Sequence, residues 1–145
     1  MENAAANGHL SVVKWLHVNC PLVDFSPQAM NYAASNGHLA VVEWLHENRT
    51  EDCTKWGMDG AAGGGHLDVV EWLHENNRTE GFTKSAIDKA AEGGHLRMIQ
   101  WFHKNRQEEC TRSAMDERRK TRKMDSAAEG GHLAVIEWLH KNRSD

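Results

Sequence analysis

A Gly-His pair recurs five times in this chain of 145 residues, ending at His9, His38, His66, His95 and His132. The spacings are 29, 28, 29 and 37, and each pair sits inside a longer block, Ala-Ala-x-x-Gly-His-Leu-x-x-x-x-Trp. Self-similarity at this period marks a stacked array, in which each unit buries its apolar faces on its neighbours. The chain therefore divides into about five repeats of one domain: a truncated 1–24, then 25–53, 54–82, 83–110, and 111–145 with an insertion around 112–121. Met1 stands only three residues before Ala4, and the chain stops soon after a standard second helix, as a segment of a longer array would.

The fourth repeat shows the plan. Thr83 suits a helix N-cap, and Ile87, Ala90 and Ala91 recur at i, i+3 and i+4 on one narrow face. Small alanines let a neighbouring helix come close. Gly94 is expected to end this helix in the left-handed region, where residues with a Cβ are strained. A second helix should open near His95 or Leu96, carrying Leu96, Met98, Ile99, Trp101 and Phe102, with Arg97, Gln100 and Lys104 as its polar stripe. Asn48, Asn76, Asn105 and Asn142 share one register and are expected to close the second helices in left-handed conformation. Ser26-Pro27 reads as cap and first helical residue of the second repeat. Gly57, Gly60 and Gly63 should weaken the first helix of the third repeat by up to roughly 1 kcal/mol each.

The insertion breaks the pattern. Thr111–Asp116 begins a first helix and Arg122–Asp125 begins it again, nine residues later. At about 100° per residue that offset is half a turn out of phase, so one helix cannot hold Met115 and Met124 on the same face. Met124, Ala127 and Ala128 match the other repeats and belong in the stack; 112–121 should project.

Composition removes several classes of function. A formal charge of −4 argues against a general nucleic-acid binder, and no apolar run approaches the roughly 18 residues of a membrane span. The sequence shows no secretory leader. Three cysteines make no disulfide framework. Cys53 and Cys110 occupy the slot that Phe25 and Phe82 fill elsewhere, so they read as packing residues in an intracellular protein, cytoplasmic or nuclear.

The block Ala-Ala-x-x-Gly-His-Leu-x-Val-Val-x-Trp-Leu, complete in the second and third repeats, resembles the more recognisable half of the ankyrin repeat. Five copies in near-fixed register cover almost the whole chain. The resemblance implies an all-α solenoid of stacked helix pairs that binds other proteins. Two departures stand out. The family's Thr-Pro-Leu-His-x-Ala is Ser85-Ala86-Ile87-Asp88-Lys89-Ala90 here, and each repeat is four or five residues shorter than the usual 33. The shortfall falls between helix pairs, where the family forms its projecting β-hairpin, so shortened or absent hairpins are expected.

Ten histidines could suggest a metal site, yet every one belongs to the repeat. His95 and His103 lie eight residues apart, roughly 12 Å along a helix, too far to share one zinc. The bland role, an imidazole bonded to nearby backbone at each Gly-His turn, is preferred, with no metal and no cofactor. No nucleophile–base pair or phosphate-cradling loop is present, and the chain is read as no enzyme.

Trp15, Trp44, Trp72, Trp101 and Trp138 recur on the second helices and are expected in the core. Trp56 has no counterpart and is expected at the surface, where tryptophan is enriched in binding hot spots. Positions that differ between repeats can encode a partner, and on the first-helix ridge these are Gln28, Asn31, Tyr32, Ser35, Lys55, Trp56, Asp59, Lys84, Asp88, Glu92, Asp125 and Glu129. The leading expectation is a scaffold that binds another protein there. The alternative is nucleic acid or another anionic surface held by Arg118, Arg119, Lys120, Arg122 and Lys123. Removing those five charges from the 17 basic residues leaves 12 against 21 acidic ones.

Overall fold

The structure is a computed structural model that describes residues 1–20, 26–49, 53–76, 83–109, 124–125 and 127–142, the side chains of 106–109 aside. It is all-α, and the described residues contain no strand. Helices alternate in two rows. The first row holds α1 (Glu2–Ala6), α3 (Gln28–Ser35), α5 (Lys55–Gly64) and α7 (Lys84–Glu92); Met124, Asp125 and Ala127–Glu129 continue it as helix. The second row holds α2 (Leu10–Asn19), α4 (Leu39–Asn48), α6 (Leu67–Glu75), α8 (Leu96–Glu109) and α9 (Leu133–Lys141).

The Ala-Ala-x-x-Gly-His spacing is a helix-termination motif. In the third repeat Gly65 N–H donates to Ala62 O at 3.2 Å and His66 N–H to Ala61 O at 2.9 Å, the two bonds that close a helix on a left-handed residue. Gly8, Gly37, Gly65, Gly94 and Gly131 all have φ between 70 and 77°. Two alanines, two spacers, a glycine and the next residue are what that geometry requires. Capping follows the sequence as well: Thr83 Oγ1 accepts from Ser85 N–H at 3.0 Å, and Ser26 Oγ from Gln28 N–H at 3.2 Å with Pro27 already in helical conformation.

The terminal asparagines behave differently from expectation. Asn76 and Asn142 have φ of −83 and −97°, Asn48 is the last helical residue of α4, and Asn105 lies within α8. Each turns its side chain back instead. Nδ2 of Asn19, Asn48, Asn76, Asn105 and Asn142 donates to the carbonyl of the tryptophan four residues earlier, at 2.8–2.9 Å. The carbonyls of Trp72 and Trp138 already accept from the backbone N–H of Asn76 and Asn142, at 3.1 and 3.0 Å, so the side-chain amide adds a second bond there without any backbone reversal.

The core runs between the rows as a continuous seam of small and branched side chains: Ala33, Ala34, Val42, Met58, Ala61, Ala62, Val70, Leu73, Ala90 and Phe102 are among its fully or nearly fully buried members. Helices of the first row approach closely. A Cβ on Gly57 would stand 2.5 Å from Cys53 Sγ and 2.7 Å from Asn31 Oδ1, and one on Gly60 would strike Ser35 Oγ. These glycines weaken α5 as an isolated helix, but they are what lets α3 lie against it.

The repeated tryptophans are not core residues. Trp44, Trp72, Trp101 and Trp138 are half-buried and Trp15 is 60% exposed. Each inner one meets the second histidine of the preceding repeat edge to face: His17–Trp44, His46–Trp72, His74–Trp101 and His103–Trp138, with centroids 4.8–5.2 Å apart and planes at 83–88°. Trp15 belongs to the first repeat and meets no such histidine. A large ring at the outer rim bridges helices that stand further apart than those of the first row.

Candidate functional site

The first four repeats are tied one to the next by polar bonds as well as packing. His38 Nε2 lies 3.0 Å from Ala6 O and His95 Nε2 2.9 Å from Gly63 O. A carbonyl only accepts, so Nε2 carries the proton in both. The partner is backbone, as expected of the Gly-His imidazole, but it belongs to the preceding repeat. The same ring fills the space over that repeat's left-handed glycine: a Cβ on Gly8 would be 2.6 Å from His38 Nδ1, and one on Gly65 2.5 Å from His95 Nδ1. Among the described residues no cluster of three or more His, Cys, Asp or Glu is placed to hold a metal ion.

A second polar tie runs between first helices. Ser26 Oγ donates to Glu2 Oε1 at 2.6 Å, Thr54 N–H and Oγ1 to Asn31 Oδ1 at 3.0 and 3.1 Å, and Thr83 Oγ1 to Asp59 Oδ2 at 2.6 Å. The hydroxyl at the start of α3, α5 and α7 is thus held by an acceptor two residues before the Ala-Ala pair of the preceding first helix. Asn31 and Asp59 are buried, 2 and 8% exposed, and this removes them from the exposed ridge. Variation between repeats is what assigns them to it in sequence. The sequence also carries the signal that places them correctly: Glu2, Asn31, Asp59, Asp88 and Asp125 share one register, and all carry a side-chain oxygen acceptor.

The remaining ridge positions divide by exposure. Gln28, Lys55, Lys84, Glu92, Asp125 and Glu129 are exposed, while Ser35 and Asp88 are half-buried. Tyr32 and Trp56, from neighbouring first helices, come together with centroids 5.7 Å apart and planes at 86° while staying 38 and 50% exposed. Lys55 is Trp56's chain neighbour, and Lys84 opens the next first helix. Toward the last repeat the ridge turns acidic, through Glu92, Asp125 and Glu129. The sequence singled out both aromatics but gave no reason to pair them; residues 24 apart meet because the stack brings α3 onto α5. Arg118, Arg119, Lys120, Arg122 and Lys123 lie outside the described residues, as do Cys110 and the segment 112–121.

A family model described as ankyrin repeats (many copies) matches residues 1–46 and 58–103. The chain belongs to the ankyrin repeat family. Ankyrin repeats are generally protein–protein interaction modules, typically without catalysis, so the expected class of function stands at that level. The fold has a counterpart in the crystal structure of the human ASB11 ankyrin repeat domain, with a TM-score of 0.71 over 97% of this chain and 67% of that one. Identity there is 17%, so the likeness carries the fold alone. A search of curated proteins gives no significant match. No helix among the described residues of this ankyrin chain is long and apolar enough to cross a membrane.

Proposed function

We propose that this chain is a non-catalytic scaffold that binds another protein on the ridge of its first helices, centred on Tyr32 and Trp56. The exposed edge-to-face pair carries the reading. Two aromatic rings from separate repeats hold each other in a defined orientation while keeping a third to a half of their surface in water. Rigid aromatics of this kind contribute binding energy at low entropic cost and recur as interface hot spots. Gln28, Lys55, Lys84, Asp88, Glu92, Asp125 and Glu129 would flank them, basic near the pair and acidic toward the last repeat; Ser35 would contribute less, being half-buried.

The test is affinity capture from the source cell with quantitative mass spectrometry, comparing the natural chain, Trp56→Ala, Tyr32→Ala and Glu75→Ala. Glu75 is exposed on α6, away from the ridge. A partner retained by the natural chain and by Glu75→Ala, but reduced at least about tenfold by either aromatic variant, supports the ridge. Equal retention by all four places the binding surface elsewhere. Anion binding through Arg118–Lys123 is a second proposal, carried by five positive charges in six residues. It predicts retention that falls steeply with salt, whereas an aromatic-centred contact responds weakly.

A further inference from the structure

One face of α5 carries the aromatic centre of the ridge at one end and a lysine at the other. Trp56, Gly60 and Gly63 stand at i, i+4 and i+7 and so line one side of that helix. Trp56 meets Tyr32 of α3 edge to face. Gly63 has no side chain, and Lys89 of α7 occupies the place. A Cβ on Gly63 would stand 3.2 Å from Lys89 Cβ, 3.5 Å from its Cδ and 3.8 Å from its Cγ, so the lysine stem lies back over α5. Lys89 is half-buried in consequence: its methylenes are covered and its charged end is left to water. Gly60 lies between the two. A Cβ there would strike Ser35 Oγ, so α3 leaves no room for a side chain, and the ridge dips between the tryptophan and the lysine.

Seven residues separate Trp56 from Gly63, roughly 10 Å along the helix axis. About three residues of extended chain span that distance. The charge around it is positive: Lys55 precedes Trp56 and Lys84 opens α7, both exposed. Asp59, on the same helix as Trp56, is 8% exposed and accepts from Thr83 Oγ1, so its carboxylate is turned into the stack. Glu92, one turn beyond Lys89, marks where the positive stretch ends. We infer that the partner presents an acidic segment in extended conformation, with an apolar side chain on Trp56 and Tyr32 and an Asp or Glu about three residues away, paired with Lys89 and Lys84. This rests on the ridge reading and adds to it the chemistry of the partner. Lys89 is the selective element, because a stem already held on Gly63 loses little freedom when a carboxylate binds its ammonium. Lys84 and Lys55 draw the same charge toward the ridge and disfavour a basic segment there.

Selection of a random displayed-peptide library on the natural chain tests this, with fluorescence polarisation of the enriched peptides to follow. Those peptides should pair an apolar residue with Asp or Glu about three positions away. Lys84→Glu should weaken them at least about tenfold, and Lys89→Met, which keeps most of the stem, at least about threefold. Lys104→Glu, at an exposed position of α8 in the other row, should leave them within about twofold. Circular dichroism melts confirm that each variant folds; should Lys89→Met melt early, Lys89→Gln takes its place. Trp56→Ala separates this inference from the ridge reading. Peptides that lose binding in Trp56→Ala, yet show no acidic preference or bind Lys84→Glu and Lys89→Met as well as the natural chain, overturn the acidic segment and leave the ridge standing. Peptides that bind Trp56→Ala undiminished sit elsewhere and overturn both. A library from which nothing is enriched also overturns the acidic segment.

Discussion

The two rows of helices solve the same stacking problem with opposite materials. In the first row α3, α5 and α7 touch through alanine and glycine, and the polar ties are short bonds from a buried Asn or Asp to the next N-cap. In the second row the helices stand further apart, and half-buried tryptophans span the gap edge-on to histidine. Small residues on one side and large ones on the other suit neighbouring repeats that lie closer along one row than along the other. The difference teaches that the recurring residues of a repeat need not be its most buried ones. Tryptophan recurs here because the rim needs a bridge, and alanine recurs because the inner row has no space.

That contrast can be broken by measuring what each row contributes. The largest effect should come from the inner side. Met58 on α5 is fully buried, and Met58→Ala should lower unfolding free energy in urea by about 2–5 kcal/mol. Trp72→Ala removes more atoms but empties a half-exposed site, so about 2–3 kcal/mol is expected, with roughly 1 of that from the lost contact with His46. Trp15→Ala, without such a contact, should cost under about 1 kcal/mol. A loss at Trp72 exceeding that at Met58 would make the outer row as core-like as the inner one.

Next comes the polar tie. Asp59→Ala leaves the Thr83 hydroxyl without its acceptor and should cost about 1–3 kcal/mol. Asp59→Asn should cost less than about 1 kcal/mol, because Asn31 already serves as the acceptor in the preceding repeat. Equal losses would show that the carboxylate charge matters, and not merely an oxygen in that place. The smallest effect is expected where the chain departs from its own period. Deleting 113–121 brings Met124 to four residues after Thr111, as Ile87 follows Thr83, and returns the last spacing to 28. Helicity and melting should be unchanged within about 0.5 kcal/mol, and heparin binding should weaken with the loss of Arg118, Arg119 and Lys120. Unfolding on deletion would put the segment inside the stack.

Much of the fold was legible because it rests on short-range rules. The helix-ending glycines, the caps at Ser26 and Thr83, the apolar face of Ile87, Ala90 and Ala91 and the polar stripe of Arg97, Gln100 and Lys104 depend on φ, on hydrogen-bond reach and on helical period. All lie within a few residues of one another. What the sequence placed badly were several side chains whose surroundings come from another repeat. Trp44 and Trp72 looked like core because they are large and periodic. Asn31 and Asp59 looked like surface because they are polar and vary. Gly57 and Gly60 looked like weak points in a helix.

Of the proposed site, the sequence by itself determined the candidates, since Trp56 is the tryptophan outside the repeat pattern and Tyr32 the chain's one tyrosine. Only the tertiary structure decided that they meet. Local sequence fixes the helices and the turn between them, because those depend on dihedral angles and bonds within one repeat. Burial depends on the gap between neighbours, and that gap is set by the summed volumes of side chains about 30 residues apart. At the inner row it closes over Asn31 and Asp59, and at the outer row it leaves Trp44 and Trp72 half open.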